Sequence, residues 1–119
     1  QIKLNGVYSK QIVHAVNYII CRLHSRVTLE QTAAHLKISS AYLSRLFKKE
    51  TGMTFSDYVN KLKIEEAATL LINTEYPDTE ISSMLGFSSQ SYFIKVFRRY
   101  MNTTPKQYKR RYDHSFAKA

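Results

Sequence analysis

The spacing of apolar residues along this chain predicts helices from end to end. Ile12, Val16, Ile19, Ile20 and Leu23 recur at intervals that place them on one face of a helix. The same period returns in each later stretch, and no stretch alternates apolar and polar residues long enough to predict a strand. The predicted fold class is therefore all-α.

Capping signals divide the periodic stretches into seven predicted helices. Ser, Thr and Pro favour helix starts, whereas Gly and Asn favour helix ends. The helices are expected at about residues 9–24, 28–36, 40–51, 54–72, 78–85, 89–101 and 105–112. Gly52 and Asn102 are expected to adopt the left-handed conformation that ends a helix.

Residues 38–58 and 87–108 are two copies of one module. From the tyrosine onward they align without a gap, and apolar, turn and basic positions recur together. The matched pairs include Tyr42/Tyr92, Leu43/Phe93, Arg45/Lys95, Phe47/Phe97, Gly52/Asn102, Thr54/Thr104 and Tyr58/Tyr108. Each half of the chain combines a short helix, a tight turn and a second helix followed by basic residues, and then a helix that begins at Thr54 or Thr104. The two short helices around a tight turn describe a helix-turn-helix.

The repeat predicts the organisation of the chain. We expect an N-terminal helix and the first helix-turn-helix in residues 1–53, a connecting helix in 54–73, the second helix-turn-helix in 74–112, and a flexible tail in 113–119. At 1.5 Å per residue the connecting helix spans about 28 Å, close to the ~34 Å of one DNA turn once packing widths are added.

Charge narrows the class of partner. The chain holds 18 Lys and Arg against 9 Asp and Glu, a net charge of +9, which favours nucleic acid first and an anionic membrane surface second. Carboxylates crowd the middle of the chain, whereas cations dominate beyond residue 80. We therefore expect a DNA-binding protein. No enzyme is expected, because Cys21, His14 and His24 share one predicted amphipathic helix with no oxyanion or base arrangement nearby.

The cysteine content and the first residue of the chain bear on the cellular compartment and on the length of the whole protein. The single Cys21 excludes an intramolecular disulfide, and no cysteine and histidine residues have zinc-site spacing, so no cofactor or metal is expected. A chain without a disulfide fits a protein of the reducing cytoplasm. No apolar run approaches the roughly 20 residues of a membrane span. Because the chain begins at Gln1, we expect it to be the C-terminal part of a longer protein.

The second helix of each helix-turn-helix, the reader helix, would present its N-terminal open face to DNA bases in the major groove. The core face is expected to hold Leu43, Leu46 and Phe47 in the first copy and Phe93, Val96 and Phe97 in the second. The remaining side chains, the candidate base contacts, are Ser40, Ala41, Ser44, Arg45, Gln90, Ser91, Ile94 and Lys95. Arg and Lys suit guanine, Gln suits adenine, and Ala or Ile suit the thymine methyl. Arg45 and Lys95 can equally meet a phosphate.

Other residues suit the DNA backbone. Cations lie on the C-terminal half of each reader helix, and hydroxyl residues stand at helix starts, where N–H groups favour phosphate. The candidate phosphate contacts are Ser39, Lys48, Lys49, Thr54, Ser89, Arg98, Arg99 and Thr104. The run Lys109-Arg110-Arg111 is either a solvated charge run or a further phosphate contact.

The motif of residues 42–52, Y-L-S-R-L-F-K-K-E-T-G, and the motif G-F-S-S-Q-S-Y-F of residues 86–93 with its following T-P-K-Q-Y resemble the AraC/XylS-type DNA-binding domain. The likeness covers about residues 9–112. It implies seven helices in two lobes, two reader helices in successive major grooves, and sequence-specific control of transcription in a bacterium.

The resemblance also implies partners and contacts. Double-stranded DNA, RNA polymerase and an N-terminal sensory, receiver or dimerisation domain are the expected partners. In relatives the contacts come from the positions held here by Ala41, Ser44, Arg45, Gln90, Ser91 and Lys95. Thr32 and Asp78 stand where the family usually has an aliphatic residue, and Asn102 stands where it often has Gly.

Two other classes of function are weighed against this one. DNA-alkylation-repair proteins share the module, but they need a cysteine-ligated zinc in an extra domain, which this chain does not supply. A pure interaction domain would use the basic face to bind acidic protein or membrane. A sequence-specific DNA footprint separates the classes, because a protein or membrane binder would give none.

Overall fold

A computed structural model describes residues 8–112, which form seven helices and no strand in that part of the chain. The helices are α1 (Lys10–Cys21), α2 (Leu29–Leu36), α3 (Ser40–Thr51), α4 (Phe55–Asn73), α5 (Asp78–Met84), α6 (Gln90–Met101) and α7 (Pro105–Tyr112). The all-α prediction is confirmed. The predicted flexible tail, residues 113–119, lies outside the described residues.

The chain divides into two compact units, Gln1–Val59 and Asn60–Ala119. α4 runs from the first unit into the second, so its first residues, Phe55 and Val59, are buried in one unit and its later apolar residues in the other. The boundaries predicted at residues 53, 73 and 112 stay a prediction. Within residues 8–112 no helix is both long and apolar enough to cross a membrane.

Helix starts follow the predicted caps. The Ser9 hydroxyl accepts the Ile12 N–H, and Thr28 forms a capping box with Gln31. α1 ends at Cys21 instead of the predicted His24, because the Arg22 N–H bonds the Ile19 carbonyl three residues back and closes the helix in a turn.

Helix ends use the left-handed conformation that the sequence predicts at two positions. Gly52 has φ 79° and Asn102 has φ 60°, and each donates its N–H to the carbonyl four residues back. The sequence did not predict the same conformation at Lys37, whose φ of 61° lies in the turn between α2 and α3. A lysine side chain gives no signal for this, since glycine and asparagine are the residues that favour it.

The first unit is held by the inner faces of α1, α2 and α3. Its buried apolar residues are Ile12, Ala15, Val16, Ile19, Ala33, Leu43, Phe47, Phe55 and Val59. Leu46, predicted in this core, is only partly buried. Thr32 is fully buried at a position where the family usually has an aliphatic residue. Its hydroxyl donates to the Thr28 carbonyl at 2.9 Å, and this hydrogen bond satisfies the buried polar group.

The second unit has its own core. Its buried residues are Ile64, Ala67, Ala68, Leu71, Ile81, Leu85, Phe93, Val96 and Phe97. Phe93, Val96 and Phe97 are the predicted core face of the second reader helix, and that prediction is confirmed.

A lysine is buried beside this second core. Lys63 is 4% exposed, and its ammonium donates to the Leu85 carbonyl just after α5 and lies 6.0 Å from the centre of the Phe87 ring. Burial lowers the pKa of Lys63 from 10.5 to about 8, because surroundings of low polarity disfavour the charged form. The sequence gives no hint of this arrangement, since Lys63 and Leu85 are 22 residues apart.

Loss of the central phenylalanine should destabilise either unit. Phe47→Ala and Phe97→Ala should each lower the free energy of unfolding by about 3–5 kcal/mol, because a cavity replaces a fully buried ring. Thermal and denaturant melts measure the loss, and Tyr76→Ala, which truncates a ring 42% exposed, is the control. Melts that leave both variants as stable as the parent would contradict the assigned core faces.

Stability should also depend on pH through Lys63. Between about pH 8 and 10.5 the unfolded chain keeps the Lys63 proton that the folded chain has lost, so raising the pH should favour folding. The gain should approach roughly 3 kcal/mol at pH 10.5. The measurement is the difference in unfolding free energy between the parent and Lys63→Met, followed across this pH range. A difference that stays flat across this range would contradict the prediction.

Candidate nucleic-acid interface

The first reader helix, α3, has most of its predicted inner and outer faces. Leu43 and Phe47 are fully buried, and the side chains of Ala41, Ser44 and Arg45 are exposed on the other side of the helix. Helical geometry aligns the exposed residues, since positions four apart share a face. Ser40, the remaining candidate base contact in this unit, is partly buried at the first turn.

The candidate phosphate contacts of the first unit lie at the two ends of α3. The Ser39 hydroxyl accepts the Tyr42 N–H at 3.0 Å, and the Thr54 hydroxyl accepts the Asp57 N–H at 3.1 Å. Both hydroxyls therefore serve as helix caps, and both side chains remain exposed. Lys48 and Lys49 are exposed in the last turn of α3.

The second reader helix, α6, repeats this layout. Ser91 and Lys95 are exposed at the positions that match Ala41 and Arg45. The Ser89 hydroxyl caps the helix by accepting the Tyr92 N–H at 3.1 Å, as Ser39 does in the first unit. Arg98 and Arg99 are exposed in its last turn.

Two candidate base contacts of α6 are also engaged inside their own unit. Ile94 is partly buried and packs against the second core, so part of its surface faces inward. The Gln90 amide nitrogen lies 3.5 Å from an oxygen of Asp78, which is 9% exposed at the first residue of α5. The sequence flagged Asp78 only as a departure in packing and missed this contact, because the two residues are 12 positions apart.

Thr104, at the start of α7, forms a reciprocal pair of hydrogen bonds with Gln107. Thr104 is partly buried, its hydroxyl accepts the Gln107 N–H at 3.1 Å, and its own N–H donates to the Gln107 side-chain oxygen at 3.2 Å. This reciprocal pair is a capping box. The Thr104 N–H that a phosphate would otherwise meet is already satisfied inside the protein.

The basic run in α7 divides between two roles. The Lys109 ammonium donates to the carbonyls of Leu71 at 2.6 Å and Thr74 at 3.2 Å, where it satisfies the end of α4. Lys109 is therefore a structural residue of the second unit. Arg110 and Arg111 remain exposed.

The exposed cations keep their charge available. In residues 8–112 no carboxylate forms an ion pair with Arg45, Lys48, Lys49, Lys95 or Arg98. An ion pair between Lys61 and Glu65, at 3.8 Å, lies on α4. These five cations of the two reader helices are what a polyanion would meet.

Comparisons with known proteins bear directly on this arrangement. A family model described as "Helix-turn-helix domain" matches residues 32–111. The regulatory protein PocR of Salmonella typhimurium is 36% identical over 102 residues, which are 86% of this chain and 34% of PocR.

Two solved structures share the fold. The C-terminal domain of AraT, a response regulator from Geobacillus stearothermophilus, is 38% identical with a TM-score of 0.82, over 87% of this chain and 86% of that domain. A transcriptional regulator from Chromobacterium violaceum, described as an AraC-type DNA-binding domain-containing protein, is 27% identical with a TM-score of 0.80, over 85% and 90% of the two chains. The chain belongs to the AraC-type helix-turn-helix family.

The AraC-type family consists of DNA-binding transcription regulators, so the predicted family and fold are confirmed. The chain spans a quarter to a third of the length of curated relatives that it matches. Most of the length of such a regulator therefore lies outside its AraC-type domain.

Proposed function

We propose that this AraC-type domain binds double-stranded DNA sequence-specifically as part of a bacterial transcription regulator. The reader helix of each unit would lie in a major groove, and the two grooves would be successive. The observation that carries the proposal is the repeated geometry of the units. Each has a short helix, a tight turn and a capped reader helix whose outer face is exposed and basic. A helix of this kind is the element that enters a major groove.

The reader helices differ in what they offer to bases. α3 presents the small side chains of Ala41 and Ser44 with Arg45, whereas α6 presents Gln90, Ser91, Ile94 and Lys95. Larger polar side chains can make the bidentate contacts that distinguish bases. The second unit therefore supplies more of the base discrimination, and the first unit supplies Arg45 and backbone contacts.

The phosphate contacts are assigned to Ser39, Lys48, Lys49 and Thr54 in the first unit and Ser89, Arg98, Arg99 and Thr104 in the second. The exposed cations near the end of each reader helix support this assignment. Thr104 is the weakest member of the set, because Gln107 already occupies its N–H.

The longer regulator would join this DNA-binding region to a sensory, receiver or dimerisation domain and would act on RNA polymerase. The greater length of the curated relatives supports this part of the proposal. Control of transcription places the protein with the bacterial chromosome in the cytoplasm, and binding rather than catalysis is its activity. In vitro selection from a random pool of duplexes tests the whole proposal, since the absence of any enriched sequence would refute it.

DNA binding should weaken steeply with salt. If the exposed cations neutralise roughly 6–10 phosphates, a plot of log affinity against log salt concentration should have a slope of about −5 to −9. Fluorescence anisotropy over a salt series measures the slope. A slope shallower than about −2 would show that the footprint is much smaller than proposed.

Base and phosphate contacts should respond differently to mutation. Lys95→Ala should relax preference at particular base pairs by about 1–3 kcal/mol, whereas Arg98→Ala should weaken all sequences alike. Repeated selection with each variant separates the two outcomes, and Lys106→Ala, which removes an exposed cation of α7, is the control. A Lys95→Ala profile identical to that of the parent would remove Lys95 from the base readers.

A continuous α4 should be necessary for reading a full site. Glu66→Pro removes a hydrogen bond inside α4 and kinks the helix, so we expect loss of specific binding to the full site with only weak binding to each half-site. Glu66→Ala keeps the helix and is the control. Footprinting on full and half-sites is the measurement, made where both units remain folded. If the second unit's half-site keeps its base preference and affinity falls uniformly, one unit reads the DNA alone.

A further inference from the structure

The contact between Asp78 and Gln90 joins the two helices of the second helix-turn-helix. Asp78 is the first residue of α5 and Gln90 is the first residue of α6. Asp78 is 9% exposed, whereas Gln90 is partly buried. The amide nitrogen of Gln90 lies 3.5 Å from an Asp78 carboxylate oxygen.

The first unit shows that this contact is not required by the fold. Leu29 is the first residue of α2, where Asp78 stands in the second unit, and Ser40 is the first residue of α3, where Gln90 stands. The first unit forms the same two helices with Leu29 and Ser40 at these positions. The two units therefore share the same pair of helices, but the Asp78–Gln90 pair is present in the second unit and not in the first.

The chemistry of a carboxylate decides which way the amide turns. A carboxylate only accepts hydrogen bonds, so it must meet the NH₂ group of Gln90 and not its oxygen. This leaves the Gln90 oxygen and a single N–H for other partners. One acceptor and one donor match the N6 and N7 atoms of adenine, whereas guanine offers two acceptors, O6 and N7, in the same groove.

We infer that Asp78 is a positioning residue that orients the Gln90 amide and so favours adenine over guanine at the base pair that Gln90 reads. The inference rests on the proposed function, since it assumes that α6 enters the major groove. Asp78 itself touches no base. It acts by removing one of the two donors with which Gln90 could otherwise bind guanine.

Asp78→Leu is the first test, because it installs the residue that the first unit carries at this position. Selected DNA pools are compared for the parent, Asp78→Leu and Gln90→Ala. Gln90→Ala identifies the base pair that Gln90 reads. At that base pair we expect Asp78→Leu to lower the preference for adenine over guanine by about threefold or more, with the preferences at the Lys95 base pair unchanged.

Asp78→Asn is the second test, and it keeps the shape of the side chain if the leucine variant does not fold. An Asn side chain both donates and accepts, so the Gln90 amide can turn either way and the preference should again fall. Glu80→Leu and Glu80→Gln are matched controls, because Glu80 is an exposed carboxylate in the same first turn of α5. Each control repeats the change in charge, which should raise affinity for all sequences without altering base preference.

A double variant separates positioning from a general effect on the unit. In a Gln90→Ala background, Asp78→Leu should cause no further change in base preference. A folded Asp78→Leu or Asp78→Asn protein with the parent's preference at the Gln90 base pair overturns the inference. So does a Gln90→Ala profile equal to the parent's, although the proposed function then still stands. Failure of the parent itself to enrich any sequence would instead refute the proposed function.

Discussion

An edge-on contact between a phenylalanine of the reader helix and a tyrosine of the following helix is the constraint on which each unit depends. Phe47 meets Tyr58 with ring centres 5.1 Å apart and planes at 78°, and Phe97 meets Tyr108 at 5.5 Å and 76°. Both phenylalanines are fully buried. Each ring therefore fixes the rotation of its helix about its own axis, and that rotation decides which side chains remain outside.

The caps add a second constraint to the same helices. A serine hydroxyl caps the start of each reader helix, and a left-handed residue, Gly52 or Asn102, ends it after the same number of residues. Length, rotation and start are thus set by local contacts that both units share. The exposed residues of the reader helices make none of these contacts. They can therefore differ between the units without changing the position of the helix. Such a division allows two readers of different base preference to be built from one module.

Two lysine side chains bond helix ends in the second unit. Lys63 donates to the end of α5 and Lys109 to the end of α4, so two lysines satisfy carbonyls that helices leave unpaired at their ends. Burying an ammonium group is costly, and the lowered pKa of Lys63 reflects that cost. What it provides is a fixed turn between α5 and α6, immediately before the residues proposed to read bases. The second unit is thereby built around directional contacts as well as apolar packing.

The sequence by itself determined the helices, most of their ends and the core faces of the reader helices. These features depend on residues close in the chain: apolar residues three and four apart, a hydroxyl at each start, and Gly52 or Asn102 at an end. Only the tertiary structure decided that Gln90 meets Asp78, that Lys63 meets Leu85, and that Lys109 donates to carbonyls at the end of α4. The partners in these contacts are 12, 22 and 38 residues apart. Local periodicity predicts which side of a helix faces inward, but only the packing of the helices decides which polar group it meets.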